Sequence, residues 1–187
     1  MKSNYDLKRI KLRGEIGSGV LALLSIITFI VSLVYYSTIE YNTTLLAHYT
    51  IVTALASIVG LVLITLALYE LSRNYNKNSI SIFAILGFVS YVLGIVASFM
   101  LTYYFGVLSG FEWFISILGL GLLGHGAYLI SLNSVGSKSK IELFKYSGYV
   151  LFLAALLSPI ITIFASIIGF VAWLLCYLAF TKLGEPR

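Results

Sequence analysis

The chain has 187 residues, of which 60% are hydrophobic and only 10% charged, with a mean hydropathy of +1.01 and a net charge of +5. A water-soluble domain keeps roughly a quarter of its residues charged so that its surface stays wetted. This composition excludes a soluble globular protein, leaves little over for a separate soluble domain, and with Cys176 as sole cysteine allows no internal disulfide.

A basic stretch opens the chain, with Lys2, Lys8, Arg9, Lys11 and Arg13 inside residues 1–16. The apolar run that follows, 17–36, is longer than the core of a cleaved signal peptide, and no small-residue cleavage site follows it. It is read as a retained first helix. Further runs at 48–70, 81–104, 112–132, 142–157 and 161–181 complete six expected transmembrane helices. Each approaches the roughly twenty residues that cross a hydrocarbon core of about 30 Å. Ser158-Pro159 separates the last two, and a proline disfavours helix in the residue before it. One long helix over 142–181 kinked at Pro159 is the alternative. Residues 182–187 form a short tail.

Charge placement chooses between these. All twelve basic residues fall in four groups: the N-terminal cluster; Arg73 and Lys77; Lys138, Lys140 and Lys145; Lys182 and Arg187. Segments 37–48, 103–112 and 158–160 contain none. Lys and Arg are retained on the cytoplasmic side of short loops. Six crossings put every basic group on one side, with both termini cytoplasmic, whereas five would place Lys182 and Arg187 outside. Tyr35, Tyr36, Tyr41, Tyr49, Tyr103, Tyr104, Phe105, Phe111 and Trp113 gather at the expected outer boundary, and Tyr69, Tyr128, Tyr146 and Tyr177 at the inner one. The expected fold is therefore an all-α polytopic bundle in the plasma membrane.

An internal repeat is also visible. The even-numbered spans contain Ser57-Ile-Val-Gly60, Ser116-Ile-Leu-Gly119 and Ser166-Ile-Ile-Gly169, each followed twelve residues after the glycine by a hydroxyl: Ser72, Ser131 and Thr181. This predicts three helical hairpins of like orientation. Serine and glycine at i and i+3 share a helix face, where small side chains let backbones approach.

Two stretches resemble a known family. Ile58–Ile80 runs from an apolar helix into a polar loop of the pattern x-x-Leu-Ser-x-x-Tyr-x-x-x-Ser-Ile, and Glu142-Leu-Phe-Lys-Tyr-Ser-Gly148 leads into the closing hairpin. Both are similar to the uncharacterised archaeal and bacterial multi-pass membrane proteins catalogued as domain of unknown function 996. The resemblance implies the architecture and no particular chemistry.

Residues able to carry chemistry are few. Glu70, near Arg73, and Glu112 stand at span ends. No charge sits deep, which disfavours a proton pump or a carrier for a charged substrate. His125 is the exception, about 18 Å down its helix from Trp113. In the repeat above its counterparts are Leu66 and Leu175. It is either a proton-sensitive gate or cofactor ligand, or a neutral imidazole bonded to a hydroxyl on an adjacent helix. His48 and Met100 lie near the outer surface, so neither pairs with His125 around a haem, and two histidines with one cysteine do not suggest a zinc site. Gly119, Gly121, Gly124 and Gly126 around His125 predict close packing on several faces. Asn42-Thr43-Thr44 is a glycosylation sequon in an outer loop. No nucleophile–base pair, phosphate loop or carboxylate pair appears, so no catalytic, cofactor or metal residues are expected. Topology explains the basic cluster without nucleic acid.

Two functions follow as expectations. The first is a non-catalytic membrane subunit, partnered by the lipid bilayer and by other membrane proteins or copies of itself. The second is a small carrier or channel for a neutral or apolar solute, with His125 as gate or sensor.

Overall fold

The computed structural model describes residues 4–37, 43–100, 111–158 and 161–184. These form six helices and no strand: α1 (Asn4–Ser37), α2 (Thr43–Tyr75), α3 (Asn78–Met100), α4 (Phe111–Ser139), α5 (Glu142–Leu157) and α6 (Thr162–Thr181). A helix satisfies its backbone polar groups within itself, which is what an apolar chain in hydrocarbon requires. Five of the six, all but α5, are long and apolar enough to cross a membrane. At 16 residues α5 rises only about 24 Å. The described chain has the architecture of a multi-pass membrane protein.

The turns have local causes. Beyond α2, Asn76 adopts the left-handed conformation at φ 50, and the Lys77 N–H closes back on the Ser72 carbonyl at 2.9 Å. This is the usual way of stopping a helix at a residue that tolerates positive φ. Lys140 takes the same role between α4 and α5 at φ 58. Between α5 and α6 the chain reverses, and the Ser147 hydroxyl of α5 donates to the Ala172 carbonyl of α6 at 2.9 Å. Residues 142–181 are thus two antiparallel helices rather than one kinked helix. Pro159 itself lies outside the described residues.

Each helix packs on its chain neighbours, and α6 closes back on α1, so the six make a ring. Because the helices alternate in direction, the basic residues of the described chain collect at one end, called here the basic end. The outer face of the ring is largely apolar: Leu23, Val52, Ile82 and Phe164 are all about 60% exposed. Uncovered apolar surface on this scale is untenable in water and ordinary in lipid.

The half of the bundle toward the basic end is densely filled. Ile64, Leu68, Leu71, Ile80, Leu132, Phe144 and Phe180 are fully buried there, and the Phe144 and Phe180 rings meet edge to face at 5.0 Å. Helix α1 is continuous from Asn4, so the basic segment up to residue 16 extends the first span rather than hanging free. Ile10 is buried, and Leu7 packs against Gly184 where φ is +83. Arg9 and Arg13 pair with Glu70 of α2 at 2.9 and 2.5 Å, and Lys11 donates to the Thr181 carbonyl at the end of α6. Glu70 is therefore tied to the N-terminal cluster and not to Arg73.

The inner aromatic belt expected from the sequence needs one correction. Tyr69 and Tyr146 are exposed at the boundary, but Tyr128 is fully buried. Its hydroxyl shares a 2.8 Å hydrogen bond with Thr65 of α2, which satisfies the polar end inside the bundle. Several residues assigned to the outer boundary, including Tyr41 and Tyr103, lie outside the described residues.

Candidate functional site: a cavity on the axis of the bundle

Small residues mark where the helices of each hairpin cross. A Cβ placed on Gly17 of α1 would lie 2.8 Å from the carbonyl oxygen of Gly60 in α2 and 2.9 Å from Ile64. In the next hairpin a Cβ on Gly87 of α3 would lie 2.8 Å from Tyr128 and 3.2 Å from the Gly124 carbonyl of α4. In the third, Ser147 meets Ala172 through the hydrogen bond already described. The three crossings, Gly17–Gly60, Gly87–Gly124 and Ser147–Ala172, correspond.

Burial along the even-numbered helices follows the same register. Four residues past the crossing stand Ile64, Tyr128 and Cys176; eight past it stand Leu68, Leu132 and Phe180. All six are fully buried. Eleven past it are Leu71, Val135 and Leu183, none more than 5% exposed. The repeat therefore exists as three hairpins, but in a register different from that of the Ser-x-x-Gly motif. Gly60 belongs to both. Gly119 lies five residues before Gly124, about 140° around the helix at 100° per residue, and a Cβ there would meet nothing within 4 Å among the described residues. Gly169 lies three before Ala172 and approaches Ser25 of α1.

In this register the counterparts of His125 are Leu61 and Trp173, not Leu66, which is 40% exposed, or Leu175. Leu61, His125 and Trp173 all line one cavity, and so do Leu21, Tyr91 and Leu151, the residues four past the crossing in the odd-numbered helices. The cavity holds about 350 Å³ and receives side chains from all six helices. It lies in the half of the bundle away from the basic end. The buried layer of Tyr128, Phe144 and Phe180 closes the other half. Small residues near the ends of α5 and α6, Ala154, Ala155, Ala165 and Gly169, leave the space unfilled.

His125 is held at both nitrogens. Nδ1 lies 2.7 Å from the Gly121 carbonyl, one turn earlier in α4. A carbonyl only accepts, so Nδ1 carries the proton, and Nε2 accepts from the Tyr91 hydroxyl of α3. Among the described residues no charged side chain lines the cavity, so the neutral imidazole is the form these partners fit. The rings of Tyr91 and His125 meet at 4.6 Å, Tyr91 and Tyr128 at 5.9 Å, and Tyr128 and Trp173 at 6.4 Å, giving the cavity an aromatic floor.

Above the floor the walls carry hydroxyls: Ser25, Thr28, Ser57, Ser158 and Ser166. Several donate to their own helix, as buried membrane serines commonly do: Ser25 to Leu21 at 2.9 Å, Ser57 to Thr53 at 2.7 Å, Ser158 to Ala155 at 2.9 Å. Thr28 accepts from Tyr49 at 3.0 Å.

Of the residues singled out from the sequence, the cavity thus gathers His125, Ser57, Ser166 and Gly169. Gly60 packs at a hairpin crossing and Gly119 faces outward. The side chains of Ser116, His48 and Glu112, and Asn42 of the sequon, lie outside the described residues. Among the described residues no group of three His, Cys, Asp or Glu comes together that could hold a metal. Tyr91 and Trp173 are the functional candidates that sequence reading missed. In comparisons with known proteins, the chain matches no family model, no curated protein and no solved structure.

Proposed function

We propose that this protein is a non-enzymatic carrier or binding protein that takes a neutral, largely apolar small molecule into the centre of its bundle, with the His125–Tyr91 pair as floor and gate. One observation carries the reading: a cavity of about 350 Å³, reached by all six helices and lined by no charged residue among those described. That volume is within the range of small-molecule sites, and its mix of apolar walls with a few placed polar groups is their common composition. A charged solute would meet no compensating charge there. In this proposal the basic end faces the cytoplasm and the membrane is the plasma membrane, in keeping with the retention of Lys and Arg inside.

The experiment is solute flux or binding in liposomes, comparing the wild-type chain with Ser57→Leu, which fills the cavity, and His125→Leu, which removes the gate. Loss of saturable uptake in both variants, with the bundle still folded, supports the reading. A solute-tight liposome and a ligand-free purified protein would count against it.

A second reading, a subunit that packs against partner helices or a further copy, draws on Gly119 and Gly121 of α4. A Cβ at either would meet nothing within 4 Å among the described residues. Recovery of a stoichiometric partner from gently solubilised membranes would favour it.

A further inference from the structure

The hydrogen-bond accounting of the cavity limits the chemistry of its occupant. Ser25 and Ser57 have spent their protons on the carbonyls of Leu21 and Thr53, and Tyr91 has spent its proton on His125. The single N–H of the neutral imidazole is engaged with Gly121. What these groups still offer is lone pairs, since a hydroxyl oxygen that donates once can still accept. At Ser25, Ser57 and Tyr91 the cavity therefore offers oxygens able to accept, and the donors beside them are Thr28, whose oxygen accepts from Tyr49, and the Trp173 indole. Trp173, 5% exposed, lines the same space and is the lining residue that carries an indole N–H. Beside these polar points stand Leu21, Leu24, Leu61, Ile95 and Leu151, which favour an apolar body. The rings of Tyr91, His125 and Trp173 suit an aromatic one.

We propose that the cavity binds an uncharged phenol-type molecule, an apolar ring bearing a hydroxyl that donates to Tyr91, Ser25 or Ser57 while its oxygen accepts from Trp173. The proposal rests on the preceding reading that the cavity is a ligand site and narrows it to hydrogen-bond donors. A donor entering here finds hydroxyl oxygens that already donate once and can still accept. An ether of the same shape has no proton to give them, and sites built to bond a hydroxyl discriminate strongly against analogues lacking it.

The test is tryptophan fluorescence of the purified full chain in lipid nanodiscs. Trp113→Phe leaves Trp173 as sole reporter, because the chain has two tryptophans. The probes are para-butylphenol, its methyl ether para-butylanisole and the anion para-butylbenzoate. The expected result is saturable quenching by the phenol about tenfold tighter than by the ether, with none by the benzoate, and all of it abolished by Ser57→Leu. Ser25→Ala combined with Ser57→Ala, which removes two of the three acceptors, should weaken the phenol severalfold more than the ether. A purely structural role for those residues would weaken both probes alike. Equal affinity for phenol and ether, each blocked by Ser57→Leu, overturns the donor requirement and leaves the cavity as a ligand site. Tighter binding of the benzoate overturns the uncharged class. Quenching by no probe, or quenching indifferent to Ser57→Leu, overturns both the proposal and the reading beneath it.

Discussion

Gly17 and Gly60 lie back to back: a Cβ on Gly17 would come within 2.8 Å of the Gly60 carbonyl oxygen, and a Cβ on Gly60 within 3.1 Å of the Gly17 carbonyl. Neither contact is with the flexible end of a side chain, so the backbones themselves must separate to admit a methyl group. Gly17→Ala is expected to destabilise the bundle by about 1–3 kcal/mol, the usual cost of overpacking. Gly119→Ala, with nothing within 4 Å among the described residues, is expected to be neutral within about 0.5 kcal/mol. Unfolding by denaturing detergent, followed by circular dichroism, compares the two. A neutral Gly17→Ala would show that the crossing has slack.

Thr65 and Tyr128 form a buried polar contact between α2 and α4, 63 residues apart. Thr65→Val leaves the tyrosine hydroxyl buried without its partner and should cost about 1–2 kcal/mol. Adding Tyr128→Phe removes the orphaned group. The double variant should recover at least half of that loss, whereas independent sites would simply add.

The N-terminal end of α1 is tied down by Arg9 and Arg13 on Glu70. Arg9 is 54% exposed and Arg13 31%, so solvent screens both pairs, and Glu70→Gln should cost at most about 1 kcal/mol of global stability. The local effect is larger. The extension before Ile10 should become a site of limited trypsin cleavage at Lys8 and Arg9, read by mass spectrometry. Unchanged resistance would mean that Ile10, Leu7 and the Lys11–Thr181 contact suffice to hold it.

Orientation can be tested with a single introduced thiol. Cys176 is fully buried, so the wild-type chain should resist a membrane-impermeant maleimide. Ser137→Cys places a thiol on an exposed position at the basic end. With that end in the cytoplasm, it should label in inside-out vesicles and not in intact cells. Labelling of intact cells would invert the topology.

The gross architecture was legible in the chain because it depends on one-dimensional quantities, the length of apolar runs and the spacing of Lys and Arg. Those separated α5 from α6 with only Ser158-Pro159 between them. The packing register was not legible. Its equivalent residues share size and burial rather than identity: Gly60, Gly124 and Ala172 at the crossings, and Ile64, Tyr128 and Cys176 one turn on. A motif of matching letters chose Gly119, on another face of α4. Tyr128 looked like a boundary aromatic because Thr65, the residue that lets it be buried, is distant in sequence. His125 stood out on type alone. Its partner Tyr91 was one tyrosine among fourteen, and the cavity above them is a gap left by small side chains on α5 and α6 that no single run reveals.

The brevity of α5 reaches into the bilayer itself. Its first turn carries Glu142 and Lys145, paired at 2.9 Å, so the apolar portion begins near Tyr146 and gives roughly 18 Å of rise before Leu157. A hydrocarbon layer of about 30 Å cannot meet that helix without adjusting, and a short span is accommodated by local thinning. The leaflet beside the α5–α6 turn is expected to dimple, drawing headgroups down toward Ser158 at the cavity rim. A compound dissolved among the acyl chains would then meet the cavity at the side of the bundle, and its rate of entry would depend on the thickness of the membrane.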